Sequence, residues 1–218
     1  MKLPFVSCIM PTGNRQQFIP YAIDYFLHQD YRNSELIVLD DGITPSYSLV
    51  SDNSRIRYYY SPLSQVLGSK RNCCCEKARG EIIVHLDDDD WYAEDWISKQ
   101  VNELMTSGAD VTGLNNVNFF LTDLNKKWKY RDMEHQAPWA YGGTLAYWKS
   151  FWAAHPFKNM HAGEDNEFVR SANVKIHNHH YTSGYLGLIH HDNAGILPFQ
   201  NPREKFQLQT ILKLPQHK

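Results

Sequence analysis

Asp87, Asp88, Asp89 and Asp90 stand side by side directly after the apolar run Ile82-Ile83-Val84-His85-Leu86, which puts four carboxylates where a buried strand should end. Adjacent carboxylates repel one another at neutral pH, so the cluster calls for a cation or strong donors to offset the repulsion. It therefore suggests a site for a cation and a phosphate; the competing reading is a solvated acidic turn. Lys70-Arg71 supplies a second set of candidates, because ammonium and guanidinium groups pair well with phosphate oxygens, although both would also suit a solvated helix start. Glu164-Asp165 and His190-His191 are further polar pairs, of which the carboxylates also suit the first turn of a helix.

These residues need elements to hold them. Apolar runs at 5–10, 35–39, 56–60 and 82–86 read as buried strands, and each stops in turn or polar chemistry: Pro11-Thr12-Gly13-Asn14, Asp40-Asp41-Gly42, Ser61-Pro62 and the aspartates. Helical spacing over 18–26 marks a crossover helix. Ser69 is placed to cap a second helix that runs to Ala78, with Gly80 as its stop. Alternating strands and helices imply a parallel sheet, in which ligands bind beyond the carboxyl ends of the strands, so three polar clusters should meet on one rim. After a helix over 93–105, the segments 111–121 and 127–130 read as strands joined by a turn at 122–125. The expected organisation is one domain over 1–195, regularly wound over 1–110 and less regularly over 111–195. Residues 196–218 form a tail or a short helix over 204–212.

The 218 residues are enough for one substantial core. With 22 basic against 24 acidic residues, no global field draws the chain to nucleic acid or an anionic membrane, so any charged ligand must be met locally. The absence of a spanning apolar stretch or signal-peptide core makes a cytoplasmic location the expectation. Cys73, Cys74 and Cys75 are contiguous, point in different directions on a helix, and read as reduced thiols.

The ordered motifs resemble the family 2 glycosyltransferases with the GT-A fold, over about residues 5–193. They are Val6-Ser7-Cys8-Ile9-Met10-Pro11-Thr12-Gly13-Asn14-Arg15, Leu36-Ile37-Val38-Leu39-Asp40-Asp41-Gly42, Lys70-Arg71-Asn72, Ala78-Arg79-Gly80-Glu81, Leu86 with the four aspartates in place of a DXD motif, and Gly163-Glu164-Asp165. The resemblance implies an α/β, Rossmann-like fold whose mostly parallel central sheet is flanked by helices, with a smaller antiparallel acceptor-side portion, and makes 1–110 the nucleotide-binding half and 111–195 the acceptor-side half. It also implies a nucleotide-diphosphate sugar donor, UDP-linked by preference, and a divalent cation, Mn²⁺ or Mg²⁺. The acceptor would be a saccharide, glycolipid or glycoprotein.

On the same resemblance, Asp89, Asp87 and His191 are the metal ligands, with His190 as the alternative to His191. Pro11, Thr12, Asn14, Arg15, Asp41, Lys70, Arg71, Asp87 and Asp88 would contact the donor. Asp165 would be the base of an inverting transfer, with Glu164 beside it orienting the acceptor or sharing its work. Trp139 and Tyr141, just before Gly142-Gly143, would stack on a sugar or join the core. Gly13 departs from the family pattern, where a larger residue precedes Asn14. The rival readings are a sugar nucleotidyltransferase, which would want more glycine after the first strand, and a non-catalytic carbohydrate-binding protein, which would lack one of the carboxylate sets. A metal hydrolase using His190 and His191 would want a more compact ligand spacing.

Overall fold

The structure is a computed structural model that describes residues 3–50, 52–122, 125–131, 139–190 and 206–207, with 131, 206 and 207 described as backbone. Strands β1 (Val6–Thr12), β2 (Ser34–Asp40), β3 (Ile56–Tyr60) and β4 (Ile82–His85) come from the four apolar runs of the first half. They pair in parallel, β1 with both β2 and β4, and β2 with β3. Every residue of β1, β2 and β4 is buried, as a sheet covered on both faces requires.

Helix α1 (Ile19–His28) follows β1, α2 (Leu67–Lys77) follows β3, and α3 (Trp96–Ser107) follows the two-residue strand β5 (Trp91–Tyr92). Alternate strand residues divide the core. Cys8, Met10, Leu36, Val38 and Val84 pack with Phe26 of α1 and Trp96 of α3, whereas Ile9, Ile37, Leu39 and Ile83 pack with Cys74 and Cys75 of α2. Helix α2 begins at Leu67, two residues before the expected Ser69 cap, and its N-terminus carries no side-chain cap. The Ser69 hydroxyl bonds Asn159 Oδ1 instead, at 2.9 Å.

The apolar segment 111–121 is divided rather than continuous. β6 (Val111–Gly113) joins the main sheet, and β7 (Asn116–Leu121) pairs with β8 (Lys126–Arg131) in a second sheet. β9 (Ala146–Trp148) lies antiparallel between β4 and β6, and α4 (Lys149–Ala154) and α5 (Glu164–Val169) follow it. β10 (Ile176–Asn178) carries His177 into the main sheet beside β6. β11 (Tyr185–Ile189) runs parallel to β7 and antiparallel to β5.

Among the described residues the main sheet therefore has seven strands in the order β10-β6-β9-β4-β1-β2-β3, parallel except at β9. Of the 196–218 segment only 206–207 are described; they form β12 (Phe206–Gln207) against β8, where the sequence suggested a short helix. With β12 the second sheet has five strands among the described residues, antiparallel except for the parallel β7–β11 pair.

Buried Glu35 ties β1, β2 and β3 to the end of α2. It accepts hydrogen bonds from Ser7 Oγ at 2.8 Å, the Arg79 backbone N–H at 2.8 Å and Arg57 Nη1 at 3.2 Å, and pairs with the Arg79 guanidinium at 2.6 Å. The Ala78–Glu81 stretch of the motif series is thus a structural joint. Ala78 packs in the core, Arg79 holds Glu35, and the Gly80 N–H donates to Ser7 Oγ.

Candidate active site

The aspartates leave the end of β4 and turn back through β5, so their carboxylates are fixed from several directions. Asp90 accepts from Tyr185 Oη and, at 2.9 Å, from the Leu188 N–H, which binds the acidic loop to β11. Asp88 accepts from Thr12 Oγ1 at 2.6 Å. A single Arg15 nitrogen, Nη1, lies 2.8 Å from both Asp88 Oδ1 and Asp89 Oδ2. His190 Nε2 is 3.1 Å from the same Asp89 oxygen, its ring packed on Phe18 with centroids 4.5 Å apart. Asp87 faces Arg71, whose Nη2 is 3.6 Å from Asp87 Oδ2 and whose Nη1 is 2.9 Å from Glu164 Oε1.

Burial raises the carboxyl pKa values of Asp87, Asp88 and Asp90, and the crowding of like charges adds to the effect, with Asp88 pushed up to about 6. Burial likewise raises Glu164, against the pull of Arg71. The cluster has more negative charge than Arg15 and Arg71 neutralise. Asp89 and His190, hydrogen-bonded to each other at 3.1 Å, are a carboxylate oxygen and an imidazole nitrogen of the kinds that a divalent cation takes as ligands. Among the described residues no three His, Cys, Asp or Glu side chains converge on one point, so a cation there would need oxygens from a ligand as well. His191 lies outside the described residues.

A cavity of about 840 Å³ brings the two carboxylate sets together, since Asp87 to Asp90 line it along with Glu164 and Asp165. Had Asp89 and Asp165 fallen on opposite sides of the molecule, no common chemistry would connect them. Glu164 is only 2% exposed and bound to Arg71, which leaves half-buried Asp165 as the more accessible of the pair. Gly163, at φ 81°, makes the left-handed turn that starts α5. Asp165 Oδ1 accepts from the Asn166 N–H at 2.8 Å, and its other oxygen lies against Gly142, where an added Cβ would approach it to 2.4 Å. Gly143 similarly touches Asp87 and Asp90.

Pro11, Thr12, Arg15, Lys70 and Arg71 also line the cavity, but neither Lys70 nor Arg71 is a freely solvated helix start. Lys70 Nζ donates to Asp41 Oδ1 at 2.8 Å and to the Thr12 carbonyl at 3.1 Å. Asp41 does not line the cavity; its second oxygen accepts from the Gln65 N–H at 2.8 Å. Gly13 accounts for this arrangement, since a Cβ there would stand 2.2 Å from Asp41 Oδ1. Asn14 likewise stands outside the cavity lining, in the left-handed region at φ 57°, and its side chain receives the Ile43 N–H.

Trp139 and Tyr141 line the wall beyond Gly142. The Trp139 indole N–H is held by Asn166 Oδ1 at 2.7 Å, and Tyr141 packs edge-on to Phe119. Tyr185, which tethers the acidic loop, carries no sequence signal beyond ordinary aromatic core character.

Residues 7–184 match the family model described as glycosyl transferase family 2. An uncharacterized glycosyltransferase of Haemophilus influenzae is 34% identical over 117 residues, which cover 51% of this chain and 47% of that protein. The GalNAc(5)-diNAcBac-PP-undecaprenol beta-1,3-glucosyltransferase of Campylobacter jejuni is 34% identical over 94 residues, covering 40% and 30%. The chain thus spans less than half the length of these relatives. Among solved structures, S. aureus TarS 1-349 in complex with UDP-GlcNAc superposes with a TM-score of 0.69 at 16% identity, over 87% of this chain and 60% of that one. The mannosyltransferase PcManGT of Pyrobaculum calidifontis, in complex with GDP-Man and Mn2+, gives 0.67 at 16% identity, over 87% and 57%. At that identity the likeness is one of fold, and it is to GT-A glycosyltransferases.

Proposed function

The chain belongs to glycosyl transferase family 2, and from that premise we propose a metal-assisted, inverting transfer of a sugar from a nucleotide diphosphate, UDP by preference, to a hydroxyl acceptor. The observation that carries this reading is the shared cavity, with a crowded acidic loop on one wall and Asp165 on another. The nucleotide ligands of the TarS and PcManGT structures, and the Mn2+ of the latter, support it.

Asp89 and His190 would hold the cation, which when bound would neutralise charge on a leaving diphosphate. Thr12 and Arg15 hold Asp88 and Asp89 in place, and Arg15 and Lys70 present positive charge along the wall where phosphate oxygens would lie. Glu164 keeps Arg71 beside Asp87, and Arg71 stays charged because Asp87, Glu164 and Asp165 outweigh its burial. Asp165 takes the proton of the acceptor hydroxyl. Because its attack would come opposite the departing diphosphate, the anomeric configuration inverts. Trp139 and Tyr141 form the wall on which a saccharide, glycolipid or glycoprotein acceptor would lie. No helix among the described residues is long and apolar enough to cross a membrane.

Calorimetric titration of UDP and GDP, each with and without Mn²⁺, tests the donor side. Binding that strengthens at least tenfold with the cation is the expected result. Failure of every nucleoside diphosphate to bind in its presence would remove the proposal.

A further inference from the structure

His85 is fully buried in β4, outside the cavity lining, and the transfer chemistry makes no use of it. Its Nδ1 is 2.6 Å from the Gly142 carbonyl oxygen and its Nε2 is 3.1 Å from Tyr147 Oη, which in turn lies 3.4 Å from Cys75 Sγ. A carbonyl only accepts, so Nδ1 carries the proton. Nε2 then accepts from the Tyr147 hydroxyl, leaving Cys75 S–H as donor to the tyrosine oxygen. The chain has one direction, from Cys75 through Tyr147 and His85 to Gly142. Burial and nearby Arg71 hold the imidazole neutral, consistent with that single tautomer.

Gly142 belongs to the short 3-10 turn Gly142–Thr144, one side of which touches Asp165 and the other Asp87 and Asp90. A second tether runs from the Asp87 N–H to Tyr92 Oη at 2.9 Å, and from the tyrosine hydroxyl to the Gly143 carbonyl at 2.9 Å. Two consecutive carbonyls of the turn are therefore held from either end of the acidic loop, by His85 just before it and Tyr92 just after it.

We propose that His85 is a positioning residue, fixing the Gly142–Thr144 turn and through it the placement of Asp165 relative to the acidic loop. This rests on the sugar-transfer reading, in which the base and the departing diphosphate must be held in register. His85 touches neither reactant.

The test compares His85→Phe, which keeps a ring but loses both hydrogen bonds, with His85→Asn, whose amide retains a donor near the Nδ1 position. Nucleotide affinity by calorimetry, kcat for sugar transfer and the melting temperature are measured for each. His85→Phe should keep its Kd for UDP with Mn²⁺ within about threefold and lose about ten- to a hundredfold in kcat, the scale of a small misplacement of a reacting group. His85→Asn should recover most of that loss.

Wild-type kcat in His85→Phe, equal losses in both variants, or a fall in nucleotide affinity matching the fall in kcat would each overturn the proposal. Should His85→Phe fail to fold, His85→Gln, whose amide reaches toward the Nε2 position and leaves the Gly142 carbonyl without its donor, should show the same loss, and an unchanged kcat there would overturn it. Histidine ¹⁵N spectra of the wild-type chain should show His85 protonated at Nδ1, and an Nε2–H signal rejects the positioning role whatever the activity. A wild-type chain that binds no nucleotide and transfers no sugar rejects the transfer reading itself.

Discussion

Asp165 is the residue on which the proposed chemistry turns, because it is the more accessible member of the Glu164–Asp165 pair and rests directly against the Gly142 backbone. Replacing it by asparagine keeps the shape and the hydrogen bond from Asn166 but removes the basic oxygen. Asp165→Asn should therefore bind donor nucleotide as the wild type does and lose about two to four decades in kcat, the scale of a lost general base. Turnover near the wild-type rate, measured by nucleotide release, would move the base role elsewhere. Of the neighbouring carboxylates, Glu164 is a poor replacement, since Arg71 engages it and burial keeps it from solvent. Which of two adjacent acids is the more exposed depends on where a helix starts, and here α5 starts after the left-handed turn at Gly163.

At the scale of elements, the short turn Gly142–Thr144 joins the two halves of the site more directly than any strand does. A methyl group at Gly142 would come within 2.4 Å of Asp165 Oδ2, so the carboxylate or the turn must move. Gly142→Ala should lower kcat by about ten- to a hundredfold while leaving nucleotide affinity nearly unchanged. An equal loss of affinity, read by calorimetry, would show that the turn serves the donor side instead. The division of 111–121 between two sheets has the same lesson. Strand character was evident from its apolar residues, but the chain changes sheets between Gly113 and Asn116, and periodicity within a strand says nothing about which neighbour it will pair with.

For the whole molecule, two groups of buried carboxylates act in opposite directions with pH. Burial alone would raise Glu35 and Asp40, but hydrogen bonds outweigh it: those of Arg79, Ser7 and Arg57 to Glu35, and those of Gly42, Tyr58 and Ser46 to Asp40. Both groups are held below the ordinary carboxylate range. Their stabilisation is present above the unfolded values, near 4.5 and 3.8, and is lost as pH falls through the lower folded values. Asp87, Asp88 and Asp90 are raised, so in the absence of a cation they favour the folded chain when protonated, a contribution lost as pH rises through about 6 for Asp88. The melting temperature of the cation-free protein should therefore rise on acidification from neutrality toward about pH 5 and fall again below about 4. Scanning calorimetry of Glu35→Gln should show a shallower acid limb than the wild type, on a fold weakened by about 1–3 kcal/mol. An acid limb unchanged by the substitution would place its origin elsewhere.

The sequence by itself determined the strands β1, β2 and β4, the polar clusters at their ends and the family, because runs buried on both faces must be continuously apolar and their ends must carry the ligand chemistry. It also singled out Asp89 and Asp165 as the carboxylates to watch. Only the tertiary structure decided the pairings: Asp41 with Lys70 over Gly13, Glu164 with Arg71, Asp89 with His190, and His85 with the Gly142 carbonyl. These contacts join residues 29, 93, 101 and 57 positions apart in the chain. Their partners are chosen by sheet order and strand register, which place distant segments within hydrogen-bond reach and leave no local pattern in the residues themselves.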